Sequence, residues 1–473
     1  MRLATAALAA SAFALSLGLA PARAQAPSID WTAVEAETLR HFQALLRFDT
    51  SDPPGNEQPA AEYLKQVLEQ EGIPVTVLAL EPHRPSIVAR LKGSGAKKPL
   101  LLMAHTDVVN VDPKKWTHPP FSATRDGGYI YGRGAVDDKD NVATALMTML
   151  MLKRMQVPLD RDVIFLAESG EEGSTRIGIQ FLANQHFKEI DAEYCLAEGG
   201  SVTRQGGKVA FASVQTLEKI PYGIELAARG PAGHGSVPLR TNAVVRLAKA
   251  VARVADWKPE IRLNETTSAY FERLAAIAAP EAAARYRAVL NPATVAEADE
   301  YFLEHEARHA AMLRSTASPN ISNAGYRINV IPSEARATLD VRMLPEQDPK
   351  DFLEQVRKVV DDPAIEVAFT ARDTRPKGPI TRLDSEPFRI LEQAVRDHYD
   401  GAVTLPTMST GATDMAYLRA KGMQCYGIGP AVDMEDGPKG FGAHSDQERI
   451  LEAELYRFLR FHWDVVTKVA GTR

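Results

Sequence analysis

The chain has 473 residues, 55 of them Lys or Arg against 61 Asp or Glu, with 45% hydrophobic residues and two cysteines. A mildly acidic balance without any Lys/Arg run excludes a protein built to hold nucleic acid through its phosphates. Two cysteines, Cys195 and Cys425, do not make a disulfide framework, and whether they pair or stay as buried thiols is open at this level.

The first 24 residues, MRLATAALAASAFALSLGLAPARA, stand apart. Arg2, a short Ala-rich apolar run and a small-x-small site at Ala22-Arg23-Ala24 read as a secretory signal, cleaved before Gln25, with a secreted or periplasmic destination. The alternative is a retained N-terminal anchor, for which the run is short; no later stretch approaches a membrane span. Removing residues 1–24 takes Arg2 and Arg23 with it and leaves 449 residues, 53 basic against 61 acidic, a net charge of −8. That length suggests two or three domains, each with ample core.

VEAETLRHFQALLRF and EQPAAEYLKQVLEQEG carry apolar residues at three-and-four spacing and predict two helices, the second ending at Gly72. VTVLAL, SIVARL and PLLLMAH predict strands. The third closes on His105, with Asp107 two residues on, a pairing that suits either a polar turn or a metal ligand with a carboxylate beside it. A Pro- and Gly-rich loop leads to YGRGAVDDKDN and the helix NVATALMTMLMLKRM. Asp137 and Asp138 there suit a helix N-cap or a cation site. The apolar strand DVIFLAES runs into Glu168, Glu171 and Glu172, and the strand AEYCLAEGG ends on Glu198. Each cluster alone is equally well a solvated loop. Strands alternating with helices, and polar residues at strand ends, mean an α/β domain with its site at the carboxyl edge of the sheet.

The character changes near Val214. KIPYGIELAARG predicts a strand, NAVVRLAKAVARV a helix, and an Ala/Glu-rich region from about 268 to 313 an extended helical segment. Strands return in NAGYRINVI and EARATLDVRML, followed by the helix PKDFLEQVRKVV and the strand IEVAFT. From about Pro376 the alternating style resumes through EPFRILEQAVRDHY, GMQCYGIGP and ILEAELYRFLRFHWDVV, with His444 in FGAHSDQERI before the last helix. The expected fold is therefore a catalytic α/β domain with a mixed sheet (25–213 and 377–473), interrupted by an inserted α+β lid or dimerisation domain (214–376).

Taken together, HxD, GRGAxDxK, EEG, EGG and a late AHxxxE resemble the M20 family of metallopeptidases, the aminoacylase, dipeptidase and carboxypeptidase group, over nearly the whole mature chain. That resemblance implies two divalent metal ions, zinc first with cobalt or manganese as alternatives. It implies that Asp137 bridges them, that His105 and Glu198 complete one shell, and that Glu172 and His444 complete the other. Asp107 would orient His105, Glu171 would be the general base, and the Asp137–Asp138 peptide would be cis. RGPAGHGSVP implies that His234 reaches a partner's site. Asn329 and Arg342 correspond to residues that hold a substrate carboxylate, and Gly411 falls in a Gly-rich substrate loop. The longer helical segment resembles the carboxypeptidase S and N-fatty-acyl-amino-acid hydrolase branch. The implied activity is hydrolysis of an amide beside a free carboxylate, in an N-acyl amino acid or short peptide, with a homodimer through the lid left open. The rival reading is a metal- or peptide-binding protein on the same scaffold, without catalysis.

A third reading comes from HEARH, His305 to His309, which matches the zinc-protease helix signature H-E-x-x-H. Its usual continuation requires glycine and histidine where Met312 and Ser315 stand. The pentapeptide is therefore expected to be a polar helix face, with Glu304 and Arg308 as an i,i+4 pair.

Overall fold

The computed structural model describes residues 29–371 and 374–472; the expected signal segment lies outside the described residues. Two sheets organise the chain. The larger mixed sheet has ten strands, with central order Ser86–Leu91, Val163–Glu168, Leu100–His105, Tyr194–Ala197 and Gln424–Gly427. Leu100–His105 pairs in parallel with both Val163–Glu168 and Tyr194–Ala197, and both of its faces are buried. That burial is why it reads as an unbroken apolar run rather than an alternating one. The register sets His105 opposite Glu168, so the polar ends of neighbouring strands meet at one edge.

The helix Lys139–Arg154 lies against this sheet, buried from Lys139 through Leu152, with helices Trp31–Leu46 and Glu452–Ala470 packed over it. Its all-round burial explains its continuous Ala, Met and Leu composition. Cys195 and Cys425 are buried free thiols on adjacent parallel strands, directly paired in register.

The smaller sheet is antiparallel, in the order Thr316–Ala324, Glu334–Met343, Ile220–Arg229, Ile365–Phe369. Glu334–Met343 alternates strictly between half-buried and buried residues, as a sheet covered on one face must. Helices Ala243–Asp256 and Pro349–Val360 supply the cover. The chain passes between sheets at Lys219, because Lys208–Glu218 still pairs with Thr404–Ser409 of the larger sheet.

Three expectations change. NAGYRINVI is not one strand: Thr316–Ala324 ends before Gly325, which holds φ +67, and only Val330–Ile331 is extended again. The helical segment is four helices, Glu265–Ile277, Pro280–Val289, Val295–His305 and Ala307–Met312. They pack with Leu217, Leu405 and Met408, and so cover the strand Thr404–Ser409 of the larger sheet rather than lengthening the smaller domain outward. Finally, HEARH is not on one helix. Glu306 leaves helical geometry at φ −136, ψ 59, so the one-turn spacing of His305 and His309 is lost. Glu304 lies beside His305, at 3.5 Å, and not beside Arg308. Among the described residues no helix is long and apolar enough to cross a membrane.

Candidate active site

At the carboxyl edge of the larger sheet the side chains of His105, Asp137, Glu172, Glu198 and His444 converge. Potential ligand atoms of His105, Asp137 and Glu198 lie within 4.8 Å of one another, and so do those of Asp137, Glu172 and His444. Asp137 is common to both groups. Its Oδ1 is 3.1 Å from His105 Nε2 and its Oδ2 is 3.1 Å from His444 Nε2, while His444 Nε2 is 2.9 Å from Glu172 Oε1. His105 is buried and its Nδ1 is 3.0 Å from the backbone carbonyl oxygen of Asp107, so Nε2 is the nitrogen presented to the cluster. His444 holds φ +61, a backbone conformation rare for a residue with a Cβ, and half of its side chain is exposed.

The loops bearing these residues are tied down by backbone donors. The Asp107 carboxylate accepts N–H groups of Gly170 at 2.8 Å, Glu171 at 3.2 Å and Glu172 at 2.9 Å. Its Oδ1 is 3.7 Å from His105 Nδ1. Asp107 therefore fixes the Glu171–Glu172 loop with its side chain and meets His105 Nδ1 with its carbonyl oxygen. Glu448 plays the matching part below Asp137. It accepts from Val136 N at 2.9 Å, Gly134 N at 3.2 Å and Arg133 Nη1 at 2.6 Å. Gly134 holds φ +86, and a Cβ there would sit 2.8 Å from Val108 Cγ1, so only glycine fits the turn. Asp138 occupies the N-cap position of Lys139–Arg154 but caps nothing; its carboxylate takes the His105 N–H at 3.2 Å and Asn141 Nδ2 at 2.5 Å. The Asp137–Asp138 peptide is cis.

The cluster holds more negative charge than its own cations offset. Burial, and then the nearby Asp414 charge, push the Glu171 carboxyl well above its ordinary range, and burial followed by Glu171 does the same for Glu198. Burial likewise raises Asp138 to about 7. His444 rises to about 10 through its hydrogen bonds to Asp137 and Glu172. Among the described residues, buried Glu168 Oε2 has no hydrogen-bond partner. A buried excess of carboxylate oxygens with two imidazoles, arranged as two groups sharing one aspartate, fits a pair of divalent cations.

Behind the loop lies a third group of close carboxylates, Asp52, Glu57 and Asp107. Here the chain supplies its own cation. Arg84 donates from Nε to both Glu57 oxygens at 3.0 Å, and from Nη2 to Glu57 at 2.6 Å and Asp52 at 2.5 Å. Arg84, Asp52, Glu57 and Glu448 were not singled out from the sequence. Arg84 is an isolated polar residue in a loop, Asp52 ends a two-residue strand and Glu57 stands at the start of the second helix, where none carries a motif, and for Glu448 the only signal was the last letter of AHxxxE.

The remaining residues stand apart from this cluster. The strand Gly233–His234 pairs with Val330–Ile331, and Gly235 N–H donates to the Asn329 carbonyl at 2.8 Å, so His234 and Asn329 share one exposed corner of the smaller domain. Arg342 pairs with Asp340 at 3.1 Å. Gly411 N–H donates to Ser409 Oγ at 3.1 Å, in the loop after Thr404–Ser409. The HEARH histidines hold no metal-type group: His309 Nε2 is 3.0 Å from the Tyr270 hydroxyl, and its Nδ1 pairs with the Glu306 carboxylate. Both nitrogens are thus engaged inside a cage of Phe271, Tyr286 and Phe302, which contradicts the zinc-endoprotease reading.

A family model described as peptidase family M20/M25/M40 matches residues 101–468. The chain is 31% identical over 339 residues to a probable carboxypeptidase S-like 2 of Dictyostelium discoideum, covering 70% of this chain and 64% of that protein. It is 29% identical over 387 residues to the N-fatty-acyl-amino acid synthase/hydrolase PM20D1 of Xenopus tropicalis, covering 78% and 72% respectively. In fold it is similar to the M20 family metallo-carboxypeptidase Sso-CP2 from Sulfolobus solfataricus, with a TM-score of 0.67 at 21% identity over 91% of this chain and 98% of that one.

Proposed function

The chain belongs to peptidase family M20/M25/M40, and from that premise we propose that it is a dinuclear-metal amidohydrolase or exopeptidase. Its substrate would be an N-acyl amino acid or short peptide, cleaved at an amide beside a free carboxylate. The observation that carries this reading is the pair of ligand groups sharing Asp137, with Glu171 at the next position to Glu172.

In this reading His105 and Glu198 would hold one divalent cation, Glu172 and His444 the other, and Asp137 would serve both; zinc suits the mixed nitrogen and oxygen donors, with cobalt or manganese as alternatives. Two such cations would supply a water acidified to near neutrality and a polarised amide carbonyl. The chain's own residues do the rest. Glu171, nearly buried and raised in basicity by burial and by Asp414, takes a proton from water and returns it to the leaving nitrogen. Asp107, by clasping three consecutive N–H groups, fixes the backbone that carries Glu171 and Glu172. His234, Asn329, Arg342 and Gly411 form the substrate side, His234 acting across a pair of chains. Residues 1–24 export the chain, which ends secreted or periplasmic.

The test is Glu171→Gln measured beside the unmodified protein. The expected variant retains two metal ions per chain by elemental analysis and loses about 10²–10⁴-fold in kcat on a panel of N-acyl amino acids and dipeptides. Full activity in that variant overturns the mechanism, and fewer than two ions in the unmodified protein overturns the dinuclear site.

A further inference from the structure

One cation touches the proposed base and has no part in the scheme above. Arg375 lies in the segment that returns the chain from the smaller sheet to the larger. Its Nη2 is 2.6 Å from Glu171 Oε1 and 3.4 Å from Asp414 Oδ1, and 17% of its side chain is exposed. Both bonds leave from Nη2, so Nε and Nη1 have no partner among the described residues, and Nε is fully buried. Arg375 is also among the residues lining a small cavity with Glu218, Lys219 and Arg419.

Counter-charge for Glu171 and Asp414 accounts for the two bonds. It does not account for a planar five-donor group held by one nitrogen with its other donors unused. Substrate chemistry does. In an amide formed on an α-amino group, the scissile nitrogen and the free carboxylate are attached to the same carbon. The base that returns a proton to that nitrogen must come within about 3 Å of it. The substrate carboxylate then lies within one guanidinium's breadth of Glu171, where Arg375 stands. We propose that Arg375 is a further specificity-determining residue, which contacts the substrate's free carboxylate alongside Asn329 and Arg342, using the donors not spent on Glu171. The inference rests on the function proposed above. It adds that recognition of the carboxylate and placement of the base run through one side chain.

The experiment compares an N-acyl amino acid with its carboxamide, in the metal-loaded full chain. The unmodified protein is expected to favour the acid. Arg375→Gln disturbs the base for both compounds, and should lower kcat/KM for the acid by roughly 10–100-fold more than for the carboxamide, so the acid preference collapses. Arg375→Lys keeps the charge and loses the fork, and should fall between the two. Because Arg375→Gln leaves Glu171 and Asp414 without a counter-charge, Arg375→Gln with Asp414→Asn is measured as well and should show the same collapse. A fluorescent N-acyl amino acid analogue with a non-cleavable linkage gives a binding readout without turnover, and its Kd should weaken in parallel. Equal losses on acid and carboxamide, or an unchanged preference, overturn the assignment of Arg375 and leave the hydrolase reading standing. An unmodified protein that cleaves neither compound overturns both.

Discussion

Arg84→Met tests whether the chain's internal cation holds the catalytic loop. The guanidinium is 4% exposed, Glu57 is fully buried and Asp52 is 8% exposed, so the two carboxylates have no water to replace it. Methionine keeps most of the length and removes every N–H. Breaking a buried ion pair from one side costs about 3–5 kcal/mol, since the partner charge remains. The loss should depend on pH. Burial, and then the charge of Asp107, already hold the Glu57 carboxyl above its ordinary range, with Arg84 opposing them. Without Arg84 the Glu57 carboxyl rises further, so the folded state binds a proton that the unfolded state has released. Stability must then fall as pH rises above 4.5, and the variant's deficit is larger at pH 8 than at pH 5. Catalysis should suffer with it, because the Asp52 carboxylate fills the space above Gly173 and the Arg84 carbonyl accepts the Ser169 hydroxyl at 2.9 Å. Denaturant unfolding at the two pH values gives the stability, and kcat on the best substrate gives the loop's placement. A deficit under about 1 kcal/mol at pH 8, or one that does not change with pH, refutes the reasoning.

Gly173→Ala should lower stability by about 1–3 kcal/mol and reduce kcat, because the new Cβ would stand 2.1 Å from Asp52 Oδ2; an unchanged melting temperature would rule the clash out. His309→Ala should cost about 2–4 kcal/mol by emptying an aromatic cage, and His305→Ala less than about 0.5 kcal/mol, with metal content unchanged in both. Loss of a metal ion from either would restore HEARH as a site. His462 is 4% exposed, with Nδ1 2.8 Å from Thr148 Oγ1, and burial pushes its imidazole down to about 3. Its stabilising effect is complete above pH 6.5 and is lost as pH falls, by about 3 kcal/mol between pH 6.5 and 4.5; His462→Gln should flatten that part of the stability profile, and an equally steep profile would exclude His462 as its source.

What could be read from the sequence was whatever parallel pairing imposes. A fully buried strand must be apolar throughout and must stop being so where it emerges, so His105 and Glu198 announce themselves at the ends of LLLMAH and CLAE, and the register then brings those ends together. Asp137 and Asp138 were ambiguous because a helix N-terminus and a cation attract the same residues; only the turning of Asp138 toward the His105 N–H separates the cases. Arg84 and Arg375 carried no signal at all. Each meets its carboxylates across a gap of sequence, Arg84 with Asp52 and Glu57, Arg375 with Glu171, and a lone arginine in a loop has no period to betray it. HEARH failed for the opposite reason. It had a complete local pattern, but a helical signature needs a helix, and the backbone leaves one at Glu306. Metal chemistry also needs carboxylate charge left unbalanced in a buried place. Residues far apart in the chain meet that condition at the sheet edge; His309, with one nitrogen on Tyr270 and the other on Glu306, does not.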